Sequence, residues 1–230
     1  MMELILDTAN LKEIQECNDW YNIAGITTNP TILSREKMDF YKLLDAIKNI
    51  IGTKQLHVQV TAGSWEEMVR EGVSLKNLVD PDIFIKVPSN CQGYRAMKEL
   101  KEKNINVTAT VVYSPEQAYI DALANTDYVA VYYNKMYNVN MDAAKTVEEI
   151  TNLYRMNRVT TKVLAASFRN TRQVMEALLA GADAVTIPYS ILKQFSINPL
   201  VSNAVSDFSK DWENFYGAKT ITQIIAEKTN

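Results

Sequence analysis

Short apolar segments recur about eight times along the chain with helical spacing between them, which predicts one α/β domain of the (β/α)8 TIM-barrel class. Two further observations sharpen this. The segments are near-continuous Val, Ile, Leu and Ala runs, as expected of parallel strands covered on both faces. The structural competitor is a doubly wound open sheet, but no G-x-G-x-x-G follows the first strand, no G-x-x-x-x-G-K-[ST] occurs, and the chain holds only 7 glycines. Its 230 residues also suit a barrel, with no linker or low-complexity segment to divide them. We expect a single barrel domain over 1–217, including a C-terminal helix, with 218–230 as a terminal extension that forms a short helix.

Element by element, Glu3-Leu4-Ile5-Leu6-Asp7 reads as a first strand ending in a carboxylate. Asn10 caps a helix over 11–20, and a second strand over 23–27 is closed by Thr28-Asn29-Pro30. Helical spacing resumes at Phe40, Leu43, Leu44 and Ile47. In 56–60, Leu56, Val58 and Val60 face one way while His57 and Gln59 face the other. Ser64 caps a helix over 65–78. A strand over 83–87 is stopped by Pro88, which cannot donate to a ladder, and a helix over 93–103 follows. The rhythm then repeats: strand 107–112, a helix opened by Ser114-Pro115, strand 127–133, helix 142–157, strand 162–167, helix 171–179 stopping at Gly181, and strand 184–188. Asn198-Pro199 opens a helix carrying Val201, Val205, Phe208 and Trp212.

Composition narrows the function. The formal net charge of -3 leaves no electrostatic footprint for nucleic acid or an anionic membrane. No apolar run is long enough to span a bilayer, and the chain enters its first strand directly, so we expect a soluble cytoplasmic protein. Cys17 and Cys91 give neither a disulfide framework nor a metal spacing and are read as free thiols. A single histidine, His57, excludes His-cluster metal sites; it lies one layer deeper than Gln59 and is read as a satisfied core residue. We therefore expect no metal and no cofactor.

Lys86 is the most informative residue. It sits where the strand Ile83-Phe84-Ile85-Lys86-Val87 runs out, and an ammonium buried there without a partner is costly. One reading is an edge lysine that snorkels to water. The other is an amine desolvated in an apolar cleft, its pKa lowered by the strand and by nearby cations, that attacks a carbonyl to form a Schiff base. In a barrel the active site lies at the carboxyl ends of the strands. Those ends supply Asp7; Thr27, Thr28 and Asn29; Gln59 and Thr61; Lys86; Thr108 and Thr110; Tyr132, Asn134 and Lys135; and Ser167 with Arg169. Singly, each suits a turn. Together they ring one lysine with hydroxyls, amides, a carboxylate and two cations, which suits a polyhydroxylated carbonyl compound better than an apolar ligand. Ser167-Phe168-Arg169, after the seventh strand, offers a hydroxyl, backbone N–H groups and a guanidinium to a phosphate.

Asp7-Thr8, Gly25-Ile26-Thr27-Thr28-Asn29-Pro30, Ile85-Lys86-Val87-Pro88 and Val163-Leu164-Ala165-Ala166-Ser167-Phe168-Arg169 resemble the small transaldolases, closest to the fructose-6-phosphate aldolase branch. The resemblance runs nearly the whole chain, through Asp211-Trp212 and Phe215-Tyr216-Gly217. It implies a metal-free class I aldolase with Lys86 as Schiff-base lysine, Asp7 and Asn29 on hydroxyls of a dihydroxyacetone unit, and Ser167 on its terminal hydroxyl. It also implies that Gln59, Thr110 and Tyr132 hold a proton-relaying water and that Lys135 and Arg169 take a phosphate. Thr27 and Thr108 are expected to bind substrate.

Lys135 stands where the family usually has arginine, and Thr108 also differs from close relatives. Transaldolases of the family typically carry glutamate at the place of Gln59 and phenylalanine at that of Tyr132, so the expected reaction is cleavage of fructose 6-phosphate to dihydroxyacetone and glyceraldehyde 3-phosphate. The alternatives are transfer of the dihydroxyacetone unit between sugar phosphates (sedoheptulose 7-phosphate and erythrose 4-phosphate) and a non-catalytic sugar-phosphate-binding barrel. The resemblance further implies a homo-oligomer, with a decamer the first expectation, exchanging C-terminal helices between subunits.

Overall fold

The computed structural model describes residues 2–229. The elements run β1 (Glu3–Asp7), α1 (Leu11–Trp20), β2 (Gly25–Thr27), α2 (Pro30–Arg35), α3 (Phe40–Ile51), β3 (Gln55–Gln59), α4 (Trp65–Leu78), β4 (Phe84–Pro88), α5 (Cys91–Glu102) and β5 (Asn106–Val112). They continue with α6 (Pro115–Leu123), β6 (Tyr128–Tyr132), α7 (Tyr133–Tyr137), α8 (Ala143–Met156), β7 (Lys162–Ala166), α9 (Thr171–Leu179), β8 (Ala184–Ile187), α10 (Tyr189–Phe195), α11 (Pro199–Tyr216) and α12 (Ile221–Thr229). The strands close into a parallel barrel in sequence order, β8 pairing back onto β1 through Glu3 with Ala184 and Ile5 with Thr186. The (β/α)8 expectation holds.

Three short helices were not legible from periodicity. α2, α7 and α10 span 6, 5 and 7 residues, too few for an apolar stripe to repeat. The strand boundaries also shift. Pro88 is still strand: it pairs with Thr110 in the β4–β5 register, where the Ser89 N–H carries the ladder bond to the Thr110 carbonyl at 2.8 Å, so the missing proline N–H is not needed.

Strand residues alternate between two cores. Leu6, Ile26, Val58, Ile85, Val107, Val129, Val163 and Val185 point outward and pack under the helices. Ile5, Tyr128, Ala130, Leu164 and Ala184, with Phe84 and Tyr132 against them, fill the barrel itself. The period of two therefore aims every second residue of a strand at the axis, which places Asp7, Gln59 and Lys86 inside.

Polar caps set where each helix begins behind its strand. Side-chain oxygens of Asn10, Asn29, Ser64, Asn90, Ser114 and Asn170 accept the second or third backbone N–H of the following helix, each contributing about 1 kcal/mol. At one such corner only glycine fits: a Cβ on Gly93 would lie 1.7 Å from the Pro88 carbonyl oxygen, so its absence lets α5 start hard against the end of β4.

Contacts divide the chain into two compact units, Met1–Leu192 and Lys193–Asn230. The first is the barrel. Within the second, α11 ends at an aromatic knot in which Trp212 and Phe215 pack on Tyr216 and the Trp212 indole donates to the Lys219 carbonyl at 2.7 Å. Among the described residues no helix is long and apolar enough to cross a membrane.

Candidate active site

Lys86 lies near the carboxyl end of β4 and is only 4% exposed. Its amine donates to the Thr28 backbone carbonyl at 2.7 Å. Burial drives its pKa below the ordinary lysine value, while the Asp7 carboxylate pulls the other way. The cations expected to assist, Lys135 and Arg169, are not among the causes: both are exposed, and desolvation alone does the lowering. The snorkelling reading of Lys86 fails on this geometry, since its amine ends inside the barrel on a carbonyl.

Asp7, from β1, faces the same space. Burial raises its carboxyl pKa, opposed by Lys86 and by the Thr27 hydroxyl, which donates to Oδ1 at 2.7 Å. Thr27 has then spent its proton, so its 2.5 Å contact with Thr186 must be a bond donated by Thr186. Thr186 was not foreseen; nothing in Ala184–Ile187 distinguishes an aimed hydroxyl from a strand filler. For the buried pair of Lys86 and Asp7 the favoured direction is toward the two neutral forms, because desolvation is the leading cause for both.

Across the barrel, the Tyr132 phenol and the Thr110 hydroxyl lie 3.1 Å apart. Burial pushes the Tyr132 pKa up, and Asp7 and Tyr113 push it further, so the phenol keeps its proton. Tyr113 meets the Tyr132 ring edge-on at 5.8 Å, a neighbour that sequence reasoning missed. The backbone here is irregular. The β5–β6 register slips between Ala109 and Val112, and Val111 takes φ 64°, a left-handed conformation costly for a β-branched residue. The slip re-aims the chain immediately after Thr110. Ser167, the residue just past β7, also sits at φ 65°.

Gln59 is paired with Lys86 in the β3–β4 register, and its side-chain amide has no hydrogen-bond partner among the described residues. Asn29 spends its oxygen capping α2 at 3.0 Å, which leaves its amide nitrogen for a ligand. Thr108 is fully buried and its hydroxyl contacts His57 at 2.9 Å, so it lies in the layer beneath Lys86. His57 has both ring nitrogens engaged, the second with Gln55 at 3.0 Å, as expected of a satisfied core histidine. Lys135 is carried by α7, and Arg169 lies in the loop before α9, both exposed. The Arg169 backbone N–H, which Ser167-Phe168-Arg169 was expected to offer a phosphate, is taken by Gln173 at 2.9 Å.

Beside Asp7, a cleft of about 280 Å³ is lined by Asn10, Ile32, Arg35, Tyr189 and Ser190 among others. A larger, mostly apolar cleft of about 640 Å³ runs from Gln59 and Thr61 over Leu33, Met38, Phe40 and Tyr41. Among the described residues no group of three or more His, Cys, Asp or Glu side chains is placed to hold a metal ion.

This arrangement is a buried, deprotonation-prone amine with a carboxyl group and a phenol nearby. The model of a family described as transaldolase/fructose-6-phosphate aldolase matches residues 4–228. The chain belongs to the transaldolase/fructose-6-phosphate aldolase family. It is 37% identical over 222 residues to a probable fructose-6-phosphate aldolase of Streptococcus pneumoniae (strain ATCC 700669 / Spain 23F-1), covering 96% of this chain and 100% of that one. It is 34% identical over 212 residues to a probable transaldolase of Alkaliphilus metalliredigens (strain QYMF), covering 92% and 98%. The family points to an aldolase or transaldolase, and relatives named for each reaction stand at similar distances from this chain.

Proposed function

We propose that this family member is a class I aldolase that cleaves and forms fructose 6-phosphate through a Schiff base on Lys86. The observation that carries the reading is a lysine buried inside a polar barrel mouth, with burial holding its amine toward the neutral, nucleophilic form. The Lys86 nitrogen attacks the ketone carbon, and the carbinolamine loses water to give a cationic imine. Its raised pKa suits the Asp7 carboxyl to give its proton to the departing water; the carboxylate so formed, directly or through a water, then takes the proton of the hydroxyl two carbons from the imine carbon. The carbon–carbon bond breaks, its electrons pass to the imine, and glyceraldehyde 3-phosphate departs. Protonation of the enamine and hydrolysis then release dihydroxyacetone and the free amine.

Asn29 and Ser167 hold the hydroxyls of the dihydroxyacetone unit in this reading, Thr27 orients Asp7, and Lys135 and Arg169 take the phosphate. Gln59, Thr110 and Tyr132 hold the water. A glutamine orients that water without exchanging a proton, whereas the Tyr132 phenol, already within 3.1 Å of Thr110, retains one to give. That favours protonation of the enamine, hence hydrolysis over transfer. Transaldolase activity is the second reading, supported by the relative named for it.

The deciding experiment incubates the protein with fructose 6-phosphate alone and then adds borohydride. The expected result is release of dihydroxyacetone and, by mass spectrometry, a reduced adduct on Lys86. Negligible release with ready transfer to erythrose 4-phosphate would move the assignment to transaldolase, and no adduct would leave a binding protein. We also infer a cytoplasmic homo-oligomer, a decamer first; Leu200, Val201, Val205, Phe208 and Phe215 leave α11 with exposed apolar side chains, which supports association. A monomer peak in light scattering would refute it.

A further inference from the structure

Under Lys86 the barrel axis holds a polar column that the proposed chemistry does not use. It runs from Thr108, the β4–β5 register partner of Lys86, down to Glu3 at the amino-terminal rim. Thr108 Oγ1 lies 2.9 Å from His57 Nδ1, His57 Nε2 lies 3.0 Å from Gln55 Oε1, and Gln55 Nε2 donates to the Tyr128 hydroxyl at 3.0 Å. Tyr128 donates to Glu3 at 2.6 Å, and Lys162 pairs with the other oxygen of that carboxylate at 2.5 Å.

The direction of every bond follows from the carboxylate, which accepts only. Tyr128 gives its proton to Glu3, so the phenol oxygen is left to accept from the Gln55 amide nitrogen. That fixes which way the Gln55 amide faces and turns its oxygen toward His57. His57 must then carry its proton on Nε2, and its Nδ1 lone pair must accept from the Thr108 hydroxyl. A flipped Gln55 would set its oxygen 3.0 Å from a phenol oxygen whose proton is already committed to Glu3 at 2.6 Å, two acceptors face to face. The ring has little room to rearrange, stacked on Phe84 at 4.5 Å and met edge-on by Tyr128 at 5.3 Å.

We propose that Thr108, His57, Gln55, Tyr128 and Glu3 form one hydrogen-bond chain of fixed direction, which holds His57 as the Nε2–H tautomer and turns the chain's acceptor ends toward Lys86. These are positioning residues. Every proton in the chain points away from the lysine, so the negative ends of successive dipoles face the nitrogen that becomes a cationic imine. His57 contributes as a neutral dipole: burial first, and Lys86 second, hold its pKa well below the usual imidazole value. Glu3, Lys162 and Tyr128 are the other ionisable groups of the column, and Asp127 acts on Tyr128 from beside it. The catalytic consequence rests on the Schiff-base reading; the tautomer does not.

His57 is the only histidine of the chain, so histidine-selective nitrogen-15 labelling yields one pair of ring signals. The native protein is expected to show a protonated Nε2 and a bare Nδ1 at neutral pH. Tyr128→Phe, or the isosteric Glu3→Gln should the first fail to fold, removes the group that sets the direction. Either is expected to bring in the Nδ1–H tautomer and to lower kcat for fructose 6-phosphate cleavage about three- to tenfold, with KM nearly unchanged. Thr108→Val should lower kcat similarly, and Thr108→Ser should restore it. A protonated Nδ1 in the native protein would overturn the proposal, as would an unchanged tautomer in the variant. A changed tautomer with unchanged kcat would remove its catalytic half. Failure to trap any adduct on Lys86 would instead sink the Schiff-base reading and leave the nitrogen-15 result standing.

Discussion

The two ends of the same barrel treat polar side chains in opposite ways. At the amino-terminal floor, Glu3, Gln55, His57, Tyr128 and Lys162, with Thr108 above them, are bonded to one another. At the carboxyl-terminal mouth, the Gln59 amide and the Ser167 hydroxyl have no partner among the described residues, and Lys86 reaches one backbone carbonyl. Both ends are polar, and both were built from strand residues of the same alternation. A closed network rigidifies, whereas groups left open keep donors and acceptors ready for a ligand. The difference favours the mouth as the candidate site more than residue type does, since a histidine, a tyrosine and a glutamate on the floor would otherwise look as catalytic as anything above them.

If that contrast is right, the largest effect belongs to Lys86→Met. It should abolish borohydride trapping and lower cleavage by at least about a thousandfold, while the thermal midpoint stays level or rises. A desolvated amine favours stability less than an apolar chain of similar length, so the mouth sacrifices stability for reactivity. Activity and melting temperature measured together test this; a large fall in stability would put Lys86 among the structural residues instead.

Arg169→Ala comes next. A charge-assisted contact with phosphate lost from an exposed side chain should reduce use of glyceraldehyde 3-phosphate about tenfold or more, with far less effect on free glyceraldehyde. Comparing kcat/KM for the two acceptors reads the ratio directly. Equal losses would mean that Arg169 works through the loop rather than through the ligand.

The smallest effect sharpens the comparison at its border. Asp121, fully buried on α6, accepts from the Ser89 hydroxyl at 3.0 Å, and burial raises its pKa to about 7. A carboxyl whose folded pKa exceeds its unfolded value binds more protons in the folded state between the two. Stability is then full below the unfolded pKa near 3.8 and declines as pH rises toward 7. The decline approaches about 1.4 kcal/mol per pH unit for this one group. Asp121→Asn should flatten it, which denaturant titrations between about pH 5 and 8 would detect. An unchanged slope would show that the carboxyl is ionised at neutral pH and paired well enough to stay so.

By itself the sequence determined the barrel, the helix caps at Asn10, Ser64 and Ser114, and the prominence of Lys86. These are local matters: apolar period, capping chemistry and the cost of an ammonium in an apolar strand are each readable within a few residues. Tertiary structure alone decided the rest. α2, α7 and α10 are too short to show a period, and they exist because closed strands leave corners that a turn of helix fills. The β5 slip and the left-handed Val111 and Ser167 depend on how neighbouring strands pair. Burial among residues distant in sequence, Thr28 among them, pushes the Lys86 pKa down, rather than the cations the sequence brought to mind. Which hydroxyl faces a ligand and which faces a histidine is likewise set by register. Thr108 and Thr110 are two residues apart with the same side chain, yet one ends on His57 and the other on Tyr132, because each strand's stagger in the closed sheet fixes what stands opposite it.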